Sequence, residues 1–400
     1  MNLTTIIDIA YLLLGPGAWA VLLFAMIKGR KRMDLLREPL PPLTEDAPPV
    51  CVLVPVKDEE RQLRASLDSI LKLDYPSYHI VAIDDRSDDA SGAILDELAE
   101  SYPKKLTAVH VRPGELPDGW AGKPHALHVG LRHAREQDKW LLFVDSDVTV
   151  SPDALRAAVA VCELKRYDLI SLLPRLRGES FWERLIVPLC GAATSAMFLF
   201  PFTNYNELPR IAFANGQFML VRRSAYEAIG GHEAVRDTFS EDVAIARKLK
   251  RAGFRPRLAM GERFISTRMY DSLGAVMRGW ARNFFSGSTG RPWRVIGAIA
   301  FMIACTYSAF GAIGWGALRS DWKWIIAGVA HLAIIVTALA LSYAWTGNRV
   351  RYALLWPLGC AMLIAIWLRS LSMCVTRRVE WRGTSYGYRI GRGVVSSSAR

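Results

Sequence analysis

Four long apolar runs constrain this chain more than any other feature of its sequence. One lies near the start and three near the end, at residues 6–27, 295–318, 324–345 and 352–374. Each is about 22 to 24 residues long, enough for a helix to cross a hydrocarbon core of about 30 Å. Tryptophans fall mostly near the ends of the later runs, as is typical of membrane interfaces. We therefore expect α-helical transmembrane segments, with helices buried in a soluble core as the alternative.

Charge is distributed as in a membrane protein that also carries a soluble region. Charged residues make up 22% of the chain, too many for a chain that lies wholly in lipid, and the net charge is +12. Cations follow the first run directly, at Lys28, Arg30, Lys31 and Arg32. Cations after the apolar run indicate an uncleaved anchor at residues 1–28 that leads into the cytoplasm. No nucleic-acid-binding motif occurs, so no nucleic acid partner is expected.

The topology of the closing region, residues 292–376, stays open. Three complete crossings would place the end of the chain on the side opposite the middle region. The basic tail at residues 377–400 instead favours the cytoplasmic side. Its arginines are Arg377, Arg378, Arg382, Arg389 and Arg392. One of the three runs would then be re-entrant or interfacial.

The middle of the chain, residues 49–291, alternates short apolar strands with helical stretches. We predict strands at residues 50–56, 79–83, 106–111 and 140–144, and helices at residues 59–73, 90–102 and 123–135. Continuous apolar strands that alternate with helices are typical of an α/β fold, with a mostly parallel sheet covered on both faces. Residues 185–202 form a fifth apolar run, interrupted by two prolines and a glycine. We expect it to lie on the membrane surface or line a groove, with a buried core helix as the alternative.

Acidic side chains follow three of the predicted strands. They are Asp58 after the first strand, Asp84 and Asp85 at the second, and Asp145 and Asp147 after the fourth. Because ligands bind outside the carboxyl ends of strands in an open α/β sheet, these carboxylates are expected to share one edge. Carboxylate oxygens are the ligands that Mg²⁺ and Mn²⁺ prefer. A cation held by one carboxylate of Asp145 and Asp147 is therefore predicted, Asp147 being the ligand in the interpretation developed below, whereas each motif taken alone also fits a solvated loop.

Two further stretches carry candidate chemistry. Asp242, in Ser240-Glu241-Asp242, precedes a helical pattern and could act as a general base at a cleft. An acidic first turn capped by Ser240 is also ordinary helix chemistry. Trp280 and Arg282 could hold a sugar ring or a diphosphate, or could simply anchor the chain at the interface. The sequence has no Walker loop, so a bound nucleotide would be held by a metal and side chains.

Taken together, these motifs resemble those of family 2 glycosyltransferases, which use nucleotide-diphosphate sugars. In order they are Val54-Pro55-Val56-Lys57-Asp58-Glu59, Ala82-Ile83-Asp84-Asp85-Arg86-Ser87-Asp88-Asp89, the D-x-D at Asp145-Ser146-Asp147, and Ser240-Glu241-Asp242. The resemblance covers roughly residues 50–290. It implies a GT-A (Rossmann-like) fold in the cytosolic domain and an inverting reaction in which Asp242 is the catalytic base. The remaining implied roles are nucleotide or sugar contacts for Asp58, Asp84, Asp85 and Asp145, and donor or diphosphate contacts for Lys123, Trp280 and Arg282.

A resemblance to one subgroup of these enzymes narrows the chemical class of the acceptor. The stretch Leu116-Pro117-Asp118-Gly119-Trp120-Ala121-Gly122-Lys123 and the late Glu380-Trp381-Arg382-Gly383 are similar to hopene-associated glycosyltransferases, which are related to carotenoid-acid and ceramide enzymes. This resemblance implies that the acceptor is a membrane lipid, and hopanoids are among the candidate lipids. Processive synthases carry Q-x-x-R-W, whereas this chain has Val276-Met277-Arg278-Gly279-Trp280. Transfer of one sugar is therefore favoured over polymer synthesis.

The sequence thus predicts a multi-pass protein of the inner membrane with a cytoplasmic catalytic domain. It would transfer one sugar from a nucleotide-diphosphate sugar to a membrane lipid, with Mg²⁺ or Mn²⁺ as cofactor. A processive polysaccharide synthase and a non-catalytic membrane scaffold are the alternatives. No feature of the sequence indicates the sugar, the nucleotide or the oligomeric state.

Overall fold

The computed structural model describes residues 2–36, 47–381, 383–390 and 393–399. The chain divides into two compact units. The first, called the membrane unit here, comprises Met1–Lys31, Leu176–Met197 and Tyr270–Thr376. The second, called the catalytic unit, comprises Arg32–Arg175, Phe198–Met269 and Arg377–Arg400. Arg382 and Arg392 of the predicted basic tail lie outside the described residues.

Helices and strands alternate through the middle of the chain, and helices dominate both flanks. The α-helices are α1 (Leu3–Leu12), α2 (Ala18–Met33), α3 (Leu63–Leu71), α4 (Ser91–Ser101), α5 (Gly122–Gly130), α6 (Ala154–Lys165), α7 (Phe181–Phe198), α8 (Arg223–Ala228), α9 (Glu241–Arg251), α10 (Leu273–Ser288), α11 (Pro292–Met302), α12 (Ser308–Arg319), α13 (Trp322–Trp345) and α14 (Trp356–Thr376). The strands are β1 (Val50–Val56), β2 (Tyr78–Asp85), β3 (Leu106–Val111), β4 (Trp140–Phe143), β5 (Val148–Val150), β6 (Leu169–Leu173), β7 (Arg175–Leu176), β8 (Met219–Arg222), β9 (Pro256–Met260), β10 (Ile265–Thr267), β11 (Arg378–Trp381), β12 (Thr384–Arg389) and β13 (Gly393–Ala399).

Helices are present at the four positions where the sequence predicts membrane crossings. Among the described residues, four helical segments are long and apolar enough to cross a membrane: Thr5–Met33, Pro292–Arg319, Trp322–Trp345 and Val350–Thr376. Each contains one of the four apolar runs. Two of them contain a π-helical turn, at Leu13–Gly17 and Ile303–Tyr307. Such turns leave backbone groups without their regular partners inside the helix.

Side chains of neighbouring helices bind one carbonyl of the second π turn. The Cys305 carbonyl oxygen accepts from the Trp19 indole N–H at 2.6 Å and from Nε2 of His331 at 2.9 Å. The other His331 nitrogen, Nδ1, therefore accepts from the Tyr11 hydroxyl at 3.2 Å. His331 is fully buried. This neutral cluster connects the first apolar segment to α13 and to the π turn, because buried polar groups within a membrane protein need internal partners.

The seven-stranded sheet of the catalytic unit confirms the predicted α/β class. Its order is β3-β2-β1-β4-β8-β6-β9. The β3/β2, β2/β1, β1/β4 and β6/β9 pairs are parallel, whereas β8 runs antiparallel to both β4 and β6. Predicted strands 50–56 and 106–111 match β1 and β3 to the residue. The mostly parallel arrangement brings the carboxyl ends of β1, β2 and β4 to one edge.

Both faces of this sheet are buried, which explains the unbroken apolar strands. Along β1, Val50, Val52 and Val54 face one hydrophobic core, while Cys51 and Leu53 face the other. Because successive side chains of a strand point to opposite faces, a strand buried on both sides shows no polar alternation.

The apolar run at residues 185–202 is helical up to Phe198, and Pro188 lies inside this helix without ending it. It forms most of α7, whose stretch from Leu185 to Cys190 is buried. Within the membrane unit, the Tyr343 hydroxyl donates to the Leu185 carbonyl oxygen at 2.6 Å. A Cβ placed on Gly359 would collide with the Leu189 side chain, so α14 passes close to α7 at this glycine. The first half of this segment is therefore packed against α13 and α14.

Candidate active site

A largely buried lysine contacts two carboxylates that lie far apart in the sequence of the catalytic unit. Lys123, the second residue of α5, places Nζ 2.7 Å from Oδ1 of Asp145 and 2.7 Å from Oε1 of Glu241. Asp145 lies in the turn between β4 and β5, and Glu241 is the first residue of α9. The Lys123 side chain is 17% exposed and that of Glu241 only 5%. The α5, β4 and α9 regions therefore meet at one point.

Opposite charges keep this lysine protonated despite its burial. Burial by itself lowers the pKa of Lys123, but Asp145, Glu241 and Asp242 outweigh burial and raise the pKa above its ordinary value. Three neighbouring carboxylates make the loss of a proton from this ammonium group unfavourable. Lys123 is therefore a permanent positive charge at this site.

Asp242 is held by backbone donors on both of its oxygens. Oδ2 accepts from the Gly216 N–H at 2.7 Å and Oδ1 from the Val243 N–H at 2.7 Å. A Cβ on Gly216 would lie 2.8 Å from Nζ of Lys123 and 3.4 Å from Oδ2 of Asp242, so a larger residue here would displace the lysine ammonium. Ser240 occupies the N-cap position of α9, but its side chain makes no capping hydrogen bond, contrary to the prediction.

The electrostatic setting of Asp242 suits a base that works near neutral pH. Burial raises the pKa of Asp242 to about 7, with a further contribution from Glu241 and an opposing one from Lys123. A carboxylate with a pKa near the working pH is the most effective proton acceptor that remains ionised. Strongly shifted carboxyl groups at strand and helix ends are typical of catalytic sites.

Asp58 is part of a rigid turn that joins the ends of β1 and β2. Its Oδ1 accepts from the Asp88 N–H at 2.8 Å, and its own N–H donates to Oγ of Ser87 at 3.0 Å. Asp58 and Arg86 both have positive φ, 51° and 58°, which non-glycine residues rarely adopt. The Lys57 ammonium donates to the Arg86 carbonyl and supports this backbone.

Asp84 and Asp85 point to opposite faces of the sheet, as neighbours on a strand must. Asp84 accepts from the Ser87 N–H at 3.1 Å and contacts Nδ1 of His110 at 3.2 Å. Asp85 instead accepts from Nε of Arg86 at 2.8 Å. Both carboxylates are buried, and each is already held by protein groups.

The D-x-D motif offers hard oxygen ligands to a cation. Asp147 is partly exposed in the turn after β4, two residues from the lysine-bound Asp145. This donor set fits Mg²⁺ or Mn²⁺. Another group with metal-ligand atoms is Cys51, His79 and Asp138, whose ligand atoms lie within 4.8 Å of one another. It lies at the amino ends of β1, β2 and β4, at the edge of the sheet opposite the D-x-D motif.

Trp280 and Arg282 belong to the membrane unit, in α10. The Trp280 ring lies 5.8 Å from that of Phe284, which in turn contacts Trp367 at 5.7 Å. The indole is therefore packed among aromatic side chains of its own unit. Donor contacts by Trp280 and Arg282 stay a prediction.

Sequence reasoning missed several residues of this site. Glu241 was considered only as part of a motif, yet it shares Lys123 with Asp145. Gly216 and Arg86 were given no role, although they contact Asp242 and Asp85. The signals in the sequence are weak: Gly216 is an isolated glycine shortly before β8, and Arg86 lies between Asp85 and Asp88 at the end of β2.

Comparison with known families identifies the class of enzyme. Residues 17–394 match the family model described as Glycosyl transferase family 21. The chain belongs to this glycosyltransferase family. The GT-A expectation is consistent with its sheet, whereas the assignment to family 2 is not confirmed.

One curated protein and one solved structure resemble this chain. It is 24% identical over 255 residues to 4,4'-diaponeurosporenoate glycosyltransferase of Staphylococcus aureus strain MRSA252, a match that covers 63% of this chain and 65% of that relative, just under two thirds of its length. It also resembles the solved structure of the mannosyltransferase PcManGT from Pyrobaculum calidifontis in complex with GDP-Man and Mn²⁺. That match has a TM-score of 0.52 and 20% identity, and covers 91% of this chain and 97% of the other. The second similarity supports the GT-A fold.

Proposed function

We propose that this glycosyltransferase moves one sugar from a nucleotide-diphosphate sugar to the hydroxyl of a membrane lipid, with inversion at the sugar carbon. The observation that carries the proposal is the convergence of Lys123, Asp145, Glu241 and Asp242 in one cluster, in which Glu241 is buried and the other three side chains are half-buried. A permanent cation beside a carboxylate with a pKa near 7 provides charge for a departing diphosphate and a base for an attacking hydroxyl.

In the proposed step, Asp242 accepts the proton of the acceptor hydroxyl. The acceptor oxygen forms a bond to the anomeric carbon as the bond from that carbon to the diphosphate oxygen breaks. The electron pair of the broken bond leaves with the nucleotide diphosphate. Since one displacement occurs, the configuration of the sugar is inverted. The N–H groups of Gly216 and Val243 fix the Asp242 oxygens during this transfer.

The other carboxylates at the strand ends would bind and orient the donor. Asp58, Asp84 and Asp85 are proposed to surround the base and ribose, and Asp145, fixed by Lys123, to meet the ribose or sugar. Asp147 is proposed to hold Mg²⁺ or Mn²⁺, which when bound would stabilise the negative charge of the departing diphosphate. Lys123 adds positive charge to the same region.

The acceptor is proposed to be a lipid that the membrane unit receives from the bilayer. The four apolar segments support this, as does a relative named for the glycosylation of diaponeurosporenoate. We include a hopanoid among the candidate acceptors and place the reaction at the cytoplasmic face of the inner membrane. Cations directly after the first apolar segment support that orientation.

A transfer screen tests the proposal. The purified full chain is incubated with radiolabelled UDP-glucose, UDP-N-acetylglucosamine or GDP-mannose and a bacterial lipid extract with or without hopanoids. Thin-layer chromatography then separates the products. We expect one lipid-linked sugar from one of these donors, lost with EDTA and restored by added Mn²⁺ or Mg²⁺.

Other products would contradict the proposal. A long glycan that stays at the origin would identify a processive synthase. Absence of nucleotide binding by calorimetry, with UDP and GDP as probes in the presence of Mn²⁺, would identify a non-catalytic scaffold. Full transfer in EDTA would remove the cation from the mechanism.

A further inference from the structure

The segment after the last membrane helix folds onto the catalytic unit as a small sheet. Strands β11, β12 and β13 pair antiparallel in that order. Residues 377–400 cluster with the catalytic sheet rather than with the helices that precede them. This segment, called the tail sheet here, is polar and basic, so its position needs a specific explanation.

Tyr386 of β12 anchors the tail sheet beside the candidate site. Its side chain is 2% exposed and packs with Ala121 and Val394. Its ring lies 5.2 Å from that of Phe239 at an angle of 82°, an edge-to-face contact. Ala121 precedes Lys123 by two residues and Phe239 precedes Asp242 by three. Tyr386 therefore contacts both segments that supply the buried cluster.

Backbone hydrogen bonds tie the same two segments together. The Val394 N–H donates to the Asp237 carbonyl at 2.8 Å, and the Ala121 N–H donates to the Arg236 carbonyl at 2.7 Å. Gly393 has a φ of 71°, and a Cβ there would overlap the Asp237 carbonyl oxygen. The approach of the tail sheet is thus close and requires glycine.

The polar end of Tyr386 reaches the carboxyl end of β2. A Cβ on Gly122 would lie 2.6 Å from Oδ2 of Asp85, 2.8 Å from Nη2 of Arg86 and 3.1 Å from the Tyr386 hydroxyl. These three polar groups therefore surround the small space that Gly122 leaves open. The Arg86 guanidinium and the Tyr386 hydroxyl thus lie on the same side of Gly122, and Arg86 also donates to Oδ1 of Asp85 at 2.8 Å.

We propose that Tyr386 is a positioning residue for donor binding, which holds Arg86 in the orientation that fixes Asp85 at the nucleotide site. This inference rests on the proposed function, because it assumes that Asp85 meets the donor. It assigns a role in the donor site to a segment that follows all of the apolar helices. The chemistry that the Asp85–Arg86 pair would recognise is the base and ribose of a nucleoside diphosphate.

The test is Tyr386→Phe in the full-length protein. Phenylalanine keeps the ring against Phe239 and removes only the hydroxyl. Loss of the polar group beside the Arg86 guanidinium predicts a rise of about three- to tenfold in the donor KM. The kcat and the acceptor KM should change by less than about twofold, since Asp242 and the lipid side are untouched. The donor is whichever of UDP-glucose, UDP-N-acetylglucosamine and GDP-mannose supports transfer.

Tyr75→Phe is a matched control. The buried Tyr75 hydroxyl donates to the Pro48 carbonyl at 2.7 Å, near the amino end of β1. This variant also removes the hydroxyl of a buried tyrosine, but far from the candidate site, so it should leave the donor KM unchanged. An equal rise in both variants would show that Tyr386 acts only through stability.

A double-mutant cycle tests the route through Arg86. If Tyr386 acts by orienting Arg86, then Tyr386→Phe combined with Arg86→Ala should raise the donor KM no more than Arg86→Ala alone. Additive effects, or a donor KM of Tyr386→Phe equal to that of the wild type, would overturn the inference and leave the proposed function intact. Absence of nucleotide binding by the wild type would overturn the proposed function and this inference with it.

Discussion

One polar cluster in each unit shows a different way to hold polar groups away from water. In the catalytic unit, the cluster around Lys123 is charged, and Lys123 depends on Asp145 and Glu241. In the membrane unit, the cluster around His331 is neutral and depends on the backbone, because His331 and Trp19 both donate to the Cys305 carbonyl. A charge cluster costs desolvation free energy to build, whereas a neutral group on a carbonyl costs little.

The charged cluster around Lys123 therefore creates a strong local electrostatic field, whereas the neutral cluster around His331 only connects helices. Removal of one member of the charge cluster leaves the others buried without a counter-charge, so its effect spreads to every member. Removal of one member of the neutral cluster leaves the Cys305 carbonyl with a second donor. We therefore expect a graded series of effects, largest at Asp242 and smallest in the membrane unit.

The largest effect is expected from Asp242→Asn. The amide cannot accept the proton of the acceptor, so kcat should fall about a thousandfold, equivalent to about 4 kcal/mol of activation free energy. The radiolabelled transfer assay measures it. Glu100→Gln, which neutralises an exposed carboxylate, is the control and should retain wild-type kcat. A folded Asp242→Asn protein with full activity would show that another group is the base.

The next effect is expected from Lys123→Met, which leaves Glu241 and Asp145 without their cation. Loss of one partner of a buried pair costs about 3 kcal/mol, so the melting temperature of the catalytic unit should fall by about 6 to 12 °C. Scanning fluorimetry in detergent measures the shift, with the exposed Lys72→Met as control. Combination with Glu241→Gln should recover part of the loss. A shift no larger than that of Lys72→Met would contradict the interdependence of the cluster.

A smaller effect is expected from His331→Leu in the membrane unit. Trp19 still donates to the Cys305 carbonyl, and hydrogen bonds between membrane helices average about 0.6 kcal/mol. Thermal unfolding in the same detergent should shift by only about a quarter as much as in Lys123→Met. An equal shift would erase the contrast between the two units.

A labelling experiment tests the membrane topology. The two cysteine substitutions that it needs should leave activity unchanged. Because the tail sheet belongs to the catalytic unit, we predict that the chain returns to the side it left, with an even number of complete crossings within residues 270–376. Lys72→Cys at the end of α3 and Ile390→Cys in the tail provide exposed thiols, and all six natural cysteines are buried. An impermeant maleimide should label both positions from the same face of oriented vesicles. Labelling from opposite faces would refute the position of the tail sheet.

The sheet was predictable and the lysine cluster was not, for physical reasons. Strands β1 and β3 were found to the residue because burial on both faces leaves unbroken apolar runs in the sequence. The carboxylates of Asp84 and Asp145 follow predicted strands and Asp242 begins a predicted helical stretch, so their chemistry could be predicted from local patterns. The pairing of Lys123 with Asp145 and Glu241 depends on tertiary geometry that no local pattern records.

The tail sheet was expected only as a basic tail. Its sequence has few apolar residues, and its stability depends on the burial of Tyr386 between Ala121 and Phe239. Strand propensity depends on such context more than helix propensity does, so a short polar strand docked on another element leaves little trace in sequence. The antiparallel strand β8 was missed for a similar reason, since a four-residue apolar segment carries no direction.

The pH dependence of wild-type transfer tests the central claim most directly, that burial beside Glu241 turns Asp242 into a base that titrates near neutrality. Because a protonated carboxyl cannot accept a proton, kcat at saturating substrates should rise about tenfold per pH unit up to about pH 7 and then level off. Glu241→Gln removes a charge that raises the Asp242 pKa, so the break should move to lower pH. A rate that is flat from pH 5 to 8, or a break that Glu241→Gln leaves in place, would contradict the account.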